Sequence, residues 1–136
     1  MPSFPYVTEK FGGGFTVRPK VPTVVSRDGV SIDSMGLVDS GSDVTIIPRW
    51  MAKSLALDAG GKKTDILGVG ESLLMSSDFA SVEVGGARLL GARVFFPSEE
   101  MSESDEVVLG TDPLFREFNV TFEFNAKRII LNKVRH

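Results

Sequence analysis

Two glycine-bearing turn dipeptides set the strongest limit on how this chain can fold. Asp28-Gly29 separates residues 21–26 from residues 30–38, and Gly85-Gly86 separates residues 79–84 from residues 88–96. All four runs are rich in β-branched and aromatic residues. A two-residue hairpin turn needs positive φ at its centre, which Asp-Gly and Gly-Gly supply, so both sites predict antiparallel hairpins. Pro19 and Pro22 predict that the first run lies at a sheet edge, because Pro cannot donate to a ladder. Short apolar strands are expected over 44–47 and 107–109, and a final strand over 128–134. Val120, Phe122 and Phe124 alternate with polar residues, which predicts one buried face.

Helices have little room. Pro48 fits the first position of a helix through about Leu57, closed by Gly60-Gly61, with Trp50, Met51, Leu55 and Leu57 packing inward. Thr111-Asp112-Pro113 reads as a second start, a capping side chain followed by Pro, for a helix to about Phe118. Residues 1–15 carry Pro2, Pro5 and Gly12-Gly13-Gly14 and read as an irregular N-terminal arm ahead of a domain of residues 16–136. The glycine run is a flexible linker, since no Lys-Ser/Thr follows it as a phosphate-cradling loop would require. Residues 98–106 read as an acidic, solvated loop. The residues alone thus give an all-β fold, a barrel or a sandwich, with one or two short helices.

At 136 residues the chain is long enough for one domain with a real core. Its 15 basic and 18 acidic residues give a charge of −3. That balance argues against a nucleic-acid binder working by phosphate neutralisation and against a polybasic membrane anchor. No run approaches the ~20 apolar residues of a membrane helix. Met1-Pro2-Ser3-Phe4-Pro5 lacks a basic, apolar leader, and a cytoplasmic protein is expected. There is no cysteine, and His136 is the only histidine. Disulfides, thiolate sites, a Ser-His-Asp triad and multi-histidine metal sites are thereby set aside, and neither metal nor cofactor is expected. Acid–base chemistry falls to carboxylates.

The segment best suited to chemistry is Gly36-Leu37-Val38-Asp39-Ser40-Gly41-Ser42-Asp43-Val44-Thr45-Ile46-Ile47-Pro48. A buried β run delivers a carboxylate to its end, small residues turn the chain sharply, and a second apolar run follows. Glycine lets backbone approach backbone there. By itself Asp-Ser-Gly also fits an Asx turn. Three features together are more specific: this segment, Val108-Leu109-Gly110 ahead of Thr111-Asp112-Pro113, and Ile66-Leu67-Gly68-Val69-Gly70 between them.

In that order and spacing, over roughly residues 16–132, the sequence resembles the retropepsin-like aspartic proteases. These are single-domain relatives of pepsin that include the retroviral enzymes. The helical stretch expected after Ile47 is more similar to cellular and prokaryotic members than to the compact viral ones. The resemblance implies a closed retropepsin-like β-barrel. It also implies an aspartic endopeptidase acting on extended peptides. One Asp-Ser-Gly per chain implies a homodimer in which each subunit lends one Asp39 to a shared site. Two such carboxylates would share a proton, one activating water and the other donating to the scissile carbonyl.

The resemblance further implies roles for single residues. Ser40 would brace the dyad across the dimer axis, or else make a local turn bond. Gly41 would present backbone groups to dyad and substrate. Asp43 would bind substrate backbone, or else be a surface acid. Gly68, Val69 and Gly70 would form a flap tip over the substrate, or else an ordinary hairpin. Ile46 and Val108 would line side-chain pockets, or else be core. The chain departs from the retroviral pattern at Thr111, where Arg usually supports the acid corresponding to Asp43. Arg18, before Pro19, resembles an N-terminal arginine that meets this acid across the dimer. Glu71-Ser72 also departs from retroviral flaps. Two other readings stay open: a catalytically silent retropepsin-like module that dimerises or binds peptides, and an unrelated small barrel for an apolar ligand.

Overall fold

The computed structural model describes residues 2–58, 63–67, 72–98 and 106–135. The expected flap tip (Gly68, Val69, Gly70), the Gly60-Gly61 helix stop and most of the acidic loop at 98–106 lie outside these residues. Among the described residues twelve strands run in chain order: β1 (Ser3–Pro5), β2 (Val7–Phe11), β3 (Gly14–Arg18), β4 (Lys20–Arg27), β5 (Val30–Val38), β6 (Thr45–Ile46), β7 (Lys63–Leu67), β8 (Ser72–Val84), β9 (Ala87–Pro97), β10 (Val107–Leu109), β11 (Phe118–Glu123) and β12 (Arg128–Lys133). Helix α1 (Arg49–Ser54) follows β6, and a single wide helical turn, α2 (Thr111–Phe115), follows β10. The fold is therefore all-β with two short helices.

The main sheet has the order β4-β5-β10-β6-β9-β8-β7, and β4 also pairs with β8. That extra pairing closes a six-stranded barrel and leaves β7 outside it. Both expected hairpins form. Asp28 and Gly29 have φ of 48° and 84°, and Gly85 and Gly86 have φ of 55° and 88°, the positive values that such a turn requires. Every second residue of the barrel strands points inward. Val21, Val25, Val38, Val82, Val84, Val94, Phe96, Val107 and Leu109 form one core with Ile47, Met51 and Leu114. A second sheet, β1-β12-β11, adds Phe118, Ile129 and Leu131 to that core.

The structure corrects several local expectations. Most of the expected irregular arm is strand, at Ser3–Pro5, at Val7–Phe11 and from Gly14 onward. β1 pairs antiparallel with β12, and β2 pairs with β3 through a Gly12-Gly13 turn. The prolines are accommodated because β1 is an edge strand and because Gly12 (φ 58°) suits the hairpin turn. β4 is not an edge strand, since it pairs with β5 along its length and with β8 from Thr23 to Ser26. Pro22 lies one residue before the β8 ladder and contributes only its carbonyl, to Gly85 N–H at 3.0 Å. Helix α1 stops at Ser54 because Ala56 turns to φ 55°. Pro48 caps this helix from an extended conformation instead of occupying its first turn. Trp50 is 46% exposed, while Met51, Leu55 and Leu57 are buried as expected.

At α2 no side chain caps the N-terminus, and Asp112 is extended. The Thr111 hydroxyl instead reaches the Asp43 carbonyl at 3.4 Å. On β11 the buried face is confined to its start. Phe118 is buried and Val120 packs half-buried against the core, whereas Phe122 on this outer strand and Phe124 just beyond it are exposed.

Candidate active site

The Asp39 loop exists because β10 is threaded between two strands that flank it in sequence. β5 ends at Val38, the chain turns through 39–44, and β6 begins at Thr45. β10 fills the gap, parallel to β5 (Val108↔Leu37) and antiparallel to β6 (Val108↔Ile46). Asp39 N–H donates to Leu109 O at 3.0 Å, and Thr111 N–H donates to Ser42 O at 2.8 Å. The Ser42 hydroxyl donates to Val44 O at 2.7 Å, and the Thr45 hydroxyl donates to Asp112 O at 2.9 Å. The turn is thus tied at both ends to the segment around Gly110.

Gly110 is the residue that permits this crossing. A Cβ there would stand 2.6 Å from Ser42 O and 2.7 Å from the Val44 carbonyl carbon, with the Val44 oxygen nearer still. Only glycine fits so close to backbone. Its place in the Val108-Leu109-Gly110 triplet was the sequence signal, although its role as a spacer between loops needed the structure.

Within the turn, Gly41 N–H donates to Asp39 Oδ1 at 2.9 Å. That bond orients the carboxylate of a half-buried Asp39. Ser40 is exposed, and its hydroxyl has no intrachain partner among the described residues. Asp43 is exposed too, and among the described residues no cation meets its carboxylate. Asp39, Ser40, Gly41 and Asp43 therefore share one short turn. Ile46 and Val108 come together as cross-strand partners, both half-buried, on the face opposite Val107 and Leu109. The row continues to Leu37 on one side and Phe95 on the other. Leu37 and Phe95 were missed in the sequence, although Leu37, two residues before Asp39, necessarily shares its strand face.

A cleft of about 610 Å³ opens beside Asp39. Its floor includes Leu37, Val38 and Asp39, and its far wall is the β2–β3 hairpin with Phe11, Val17 and Arg18. Ion pairs fix the base of that hairpin. Arg18 lies 2.6 Å from Glu106 and 3.4 Å from Glu9, and Lys20 bonds Glu9 and Glu106. Arg18, the expected cross-dimer partner of Asp43, is therefore engaged within its own chain. The hydrogen bond from Lys20 is the main cause holding the Glu9 carboxyl below its ordinary value. Partial burial works against the Lys20 charge, but the bonds to Glu9 and Glu106 prevail and raise its pKa. Among the described residues, no cluster of three or more His, Cys, Asp or Glu side chains is placed to hold a metal. No helix among them is long and apolar enough to cross a membrane.

Comparison with known proteins agrees with this geometry. No curated protein matches the chain at a significant level. A family model described as aspartyl protease matches residues 21–112, a span running from β4 through the Asp39 turn and β10 into α2. With more than half of its length matched, the chain belongs to this aspartyl protease family of the retropepsin-like clan.

Proposed function

We propose that the protein is an aspartic endopeptidase whose active unit is a homodimer, with Asp39 of each subunit forming one dyad. The reading rests on the Asp39 turn. A single carboxylate is held by Gly41 N–H at the edge of an open cleft, inside a loop braced by β10. One carboxylate cannot both take a proton from water and supply one to the substrate carbonyl. Two that face each other can, because mutual repulsion keeps one proton on the pair. The aspartic proteases are the standard example of that behaviour.

Hydrolysis then proceeds without a covalent intermediate. The ionised carboxylate takes a proton as the water oxygen attacks the peptide carbon. The protonated carboxyl gives its proton to the carbonyl oxygen, so a neutral tetrahedral diol forms. A proton passes to the amide nitrogen, the C–N bond breaks, and the products are an acid and an amine. Ser40, exposed beside Asp39, is suited to bridge to the other subunit, since a hydroxyl both donates and accepts. Gly41 presents backbone to the substrate, and Asp43 receives substrate N–H groups. The half-buried row Leu37, Val108 and Ile46 is suited to apolar side chains of an extended peptide. Gly68, Val69 and Gly70 would cover it, since they join β7 to β8, which pair up to Leu67↔Ser72.

The test is cleavage of a mixed peptide library, read by mass spectrometry from about pH 3.5 to 7. Wild type and Asp39→Asn are compared. Cleavage that vanishes in the variant is expected. A folded wild type with no Asp39-dependent cleavage would instead favour a silent peptide-binding or dimerisation module.

A further inference from the structure

The β2–β3 hairpin has a construction that the barrel does not explain. It is a two-stranded sheet of its own, and such a ribbon is at best marginally stable alone. Its base is pinned by the Glu9, Arg18, Lys20 and Glu106 ion pairs. Its tip carries Phe11 and Phe15, each 74% exposed. The register pairs Phe11 with Gly14 and Lys10 with Phe15. Cross-strand partners share a face, so the two rings stand on opposite faces of the ribbon. A hairpin that merely covered its own barrel would carry apolar residues on the inner face only. An aromatic on each face suits a tongue enclosed from both sides.

The occupant follows from where the tongue lies. Phe11 lines the same cleft as Asp39. A dyad requires a twofold axis passing between two Asp39 carboxylates in hydrogen-bond contact. Whatever shares the Asp39 cleft then confronts the second copy of the chain. We infer that the β2–β3 hairpin is an arm that inserts into the partner subunit, burying Phe11 and Phe15 there, and that the shared site assembles through this exchange. The inference rests on the homodimeric reading above and adds the surface that builds the dimer.

The chain has no cysteine, so a single introduced thiol labels one place. Gly13→Cys is suited to this, because a Cβ at Gly13 meets nothing within 4 Å and its φ lies outside the left-handed region. The first measurement is sedimentation equilibrium of wild type and of Phe11→Ser/Phe15→Ser, with circular dichroism to verify folding. Both rings are exposed, so the double variant should fold as wild type does. The dimer dissociation constant should rise at least about 100-fold. The second measurement is emission from an environment-sensitive maleimide on Gly13→Cys as the protein is diluted. It should change at the same concentration as the monomer–dimer transition.

A wild-type dimer whose variant dissociates within about threefold of it overturns the arm. So does a probe that ignores assembly, or one that responds only to added peptide, in which case substrate is the occupant. In each of those results Asp39-dependent cleavage by a dimer would survive, so the proposed activity would stand. A wild type that stays monomeric overturns the arm and the shared dyad together.

Discussion

Gly110→Ala is the sharpest perturbation of the loop that holds Asp39. The added methyl would lie 2.6 Å from Ser42 O and 2.7 Å from the Val44 carbonyl carbon. Ordinary contact begins near 3.4 Å, so the two segments must part by about 0.8 Å to clear Ser42 O and by more than an ångström to clear the Val44 oxygen. Both obstacles are backbone, and no rotamer change relieves them. The segments are tied by Asp39 N–H to Leu109 O and Thr111 N–H to Ser42 O, so parting strains both bonds. Overpacking typically costs ~1–3 kcal/mol, and each weakened bond adds up to about 1 kcal/mol. A loss of roughly 3 kcal/mol is expected, which lowers Tm by about 10 °C in a chain of this size. Urea unfolding followed by circular dichroism measures it. Cleavage by the fraction still folded should drop further than stability alone explains, because the displaced residues carry Asp39. A variant within about 0.5 kcal/mol of wild type would refute the claim that Gly110 spaces the two loops.

Phe96→Ala, at a fully buried position of β9, should cost about 3–5 kcal/mol by the same denaturation assay. The buried Ser77 hydroxyl has no partner among the described residues, so Ser77→Ala should leave stability unchanged or raise it by about 1 kcal/mol. The Glu9 carboxyl titrates below its ordinary value near 4.5, chiefly through the Lys20 hydrogen bond. Its contribution is therefore complete above that value and lost as pH falls through the lowered one. The stability advantage of wild type over Glu9→Gln should be flat from about pH 6 to 8 and shrink progressively as the pH falls below 4.5. An advantage that persists in acid would detach Glu9 from the anchoring of the hairpin. Lys20, raised above 10.5, adds stability that is present through neutral pH and disappears only as pH rises through its raised value.

The barrel was legible because turn chemistry is local. Asp28-Gly29 and Gly85-Gly86 both fold as the residues dictate. A strand over Val107–Leu109 was legible, but its threading between β5 and β6 was not, since nothing in those residues names partners some 60–70 residues away. The N-terminal strands were missed because Pro2, Pro5 and Gly12-Gly13-Gly14 punctuate residues 2–14, while their pairing depends on β12 and on a turn that glycine permits. Trp50 and Phe124 were expected to be buried from their types and periodicity, yet they are 46% and 61% exposed, and Phe124 meets only the edge of Tyr6 and the Lys127 ammonium among the ring contacts of the described residues. Asp39, Ser40, Gly41 and Asp43 fall together because they lie within one five-residue turn segment. Leu37 joins them through strand alternation. Glu9 and Glu106 meet Arg18 and Lys20 across distances in the chain that no sequence pattern spans.

The central claim is a site shared between two chains, and subunit mixing tests it most directly. Wild type and Asp39→Asn are equilibrated at equal amounts, and cleavage is measured against total protein. If each site needs Asp39 from both subunits, only wild-type pairs cut, and activity should fall to about a quarter of the pure wild type. A site complete within one chain would retain about half, and that result would contradict the account.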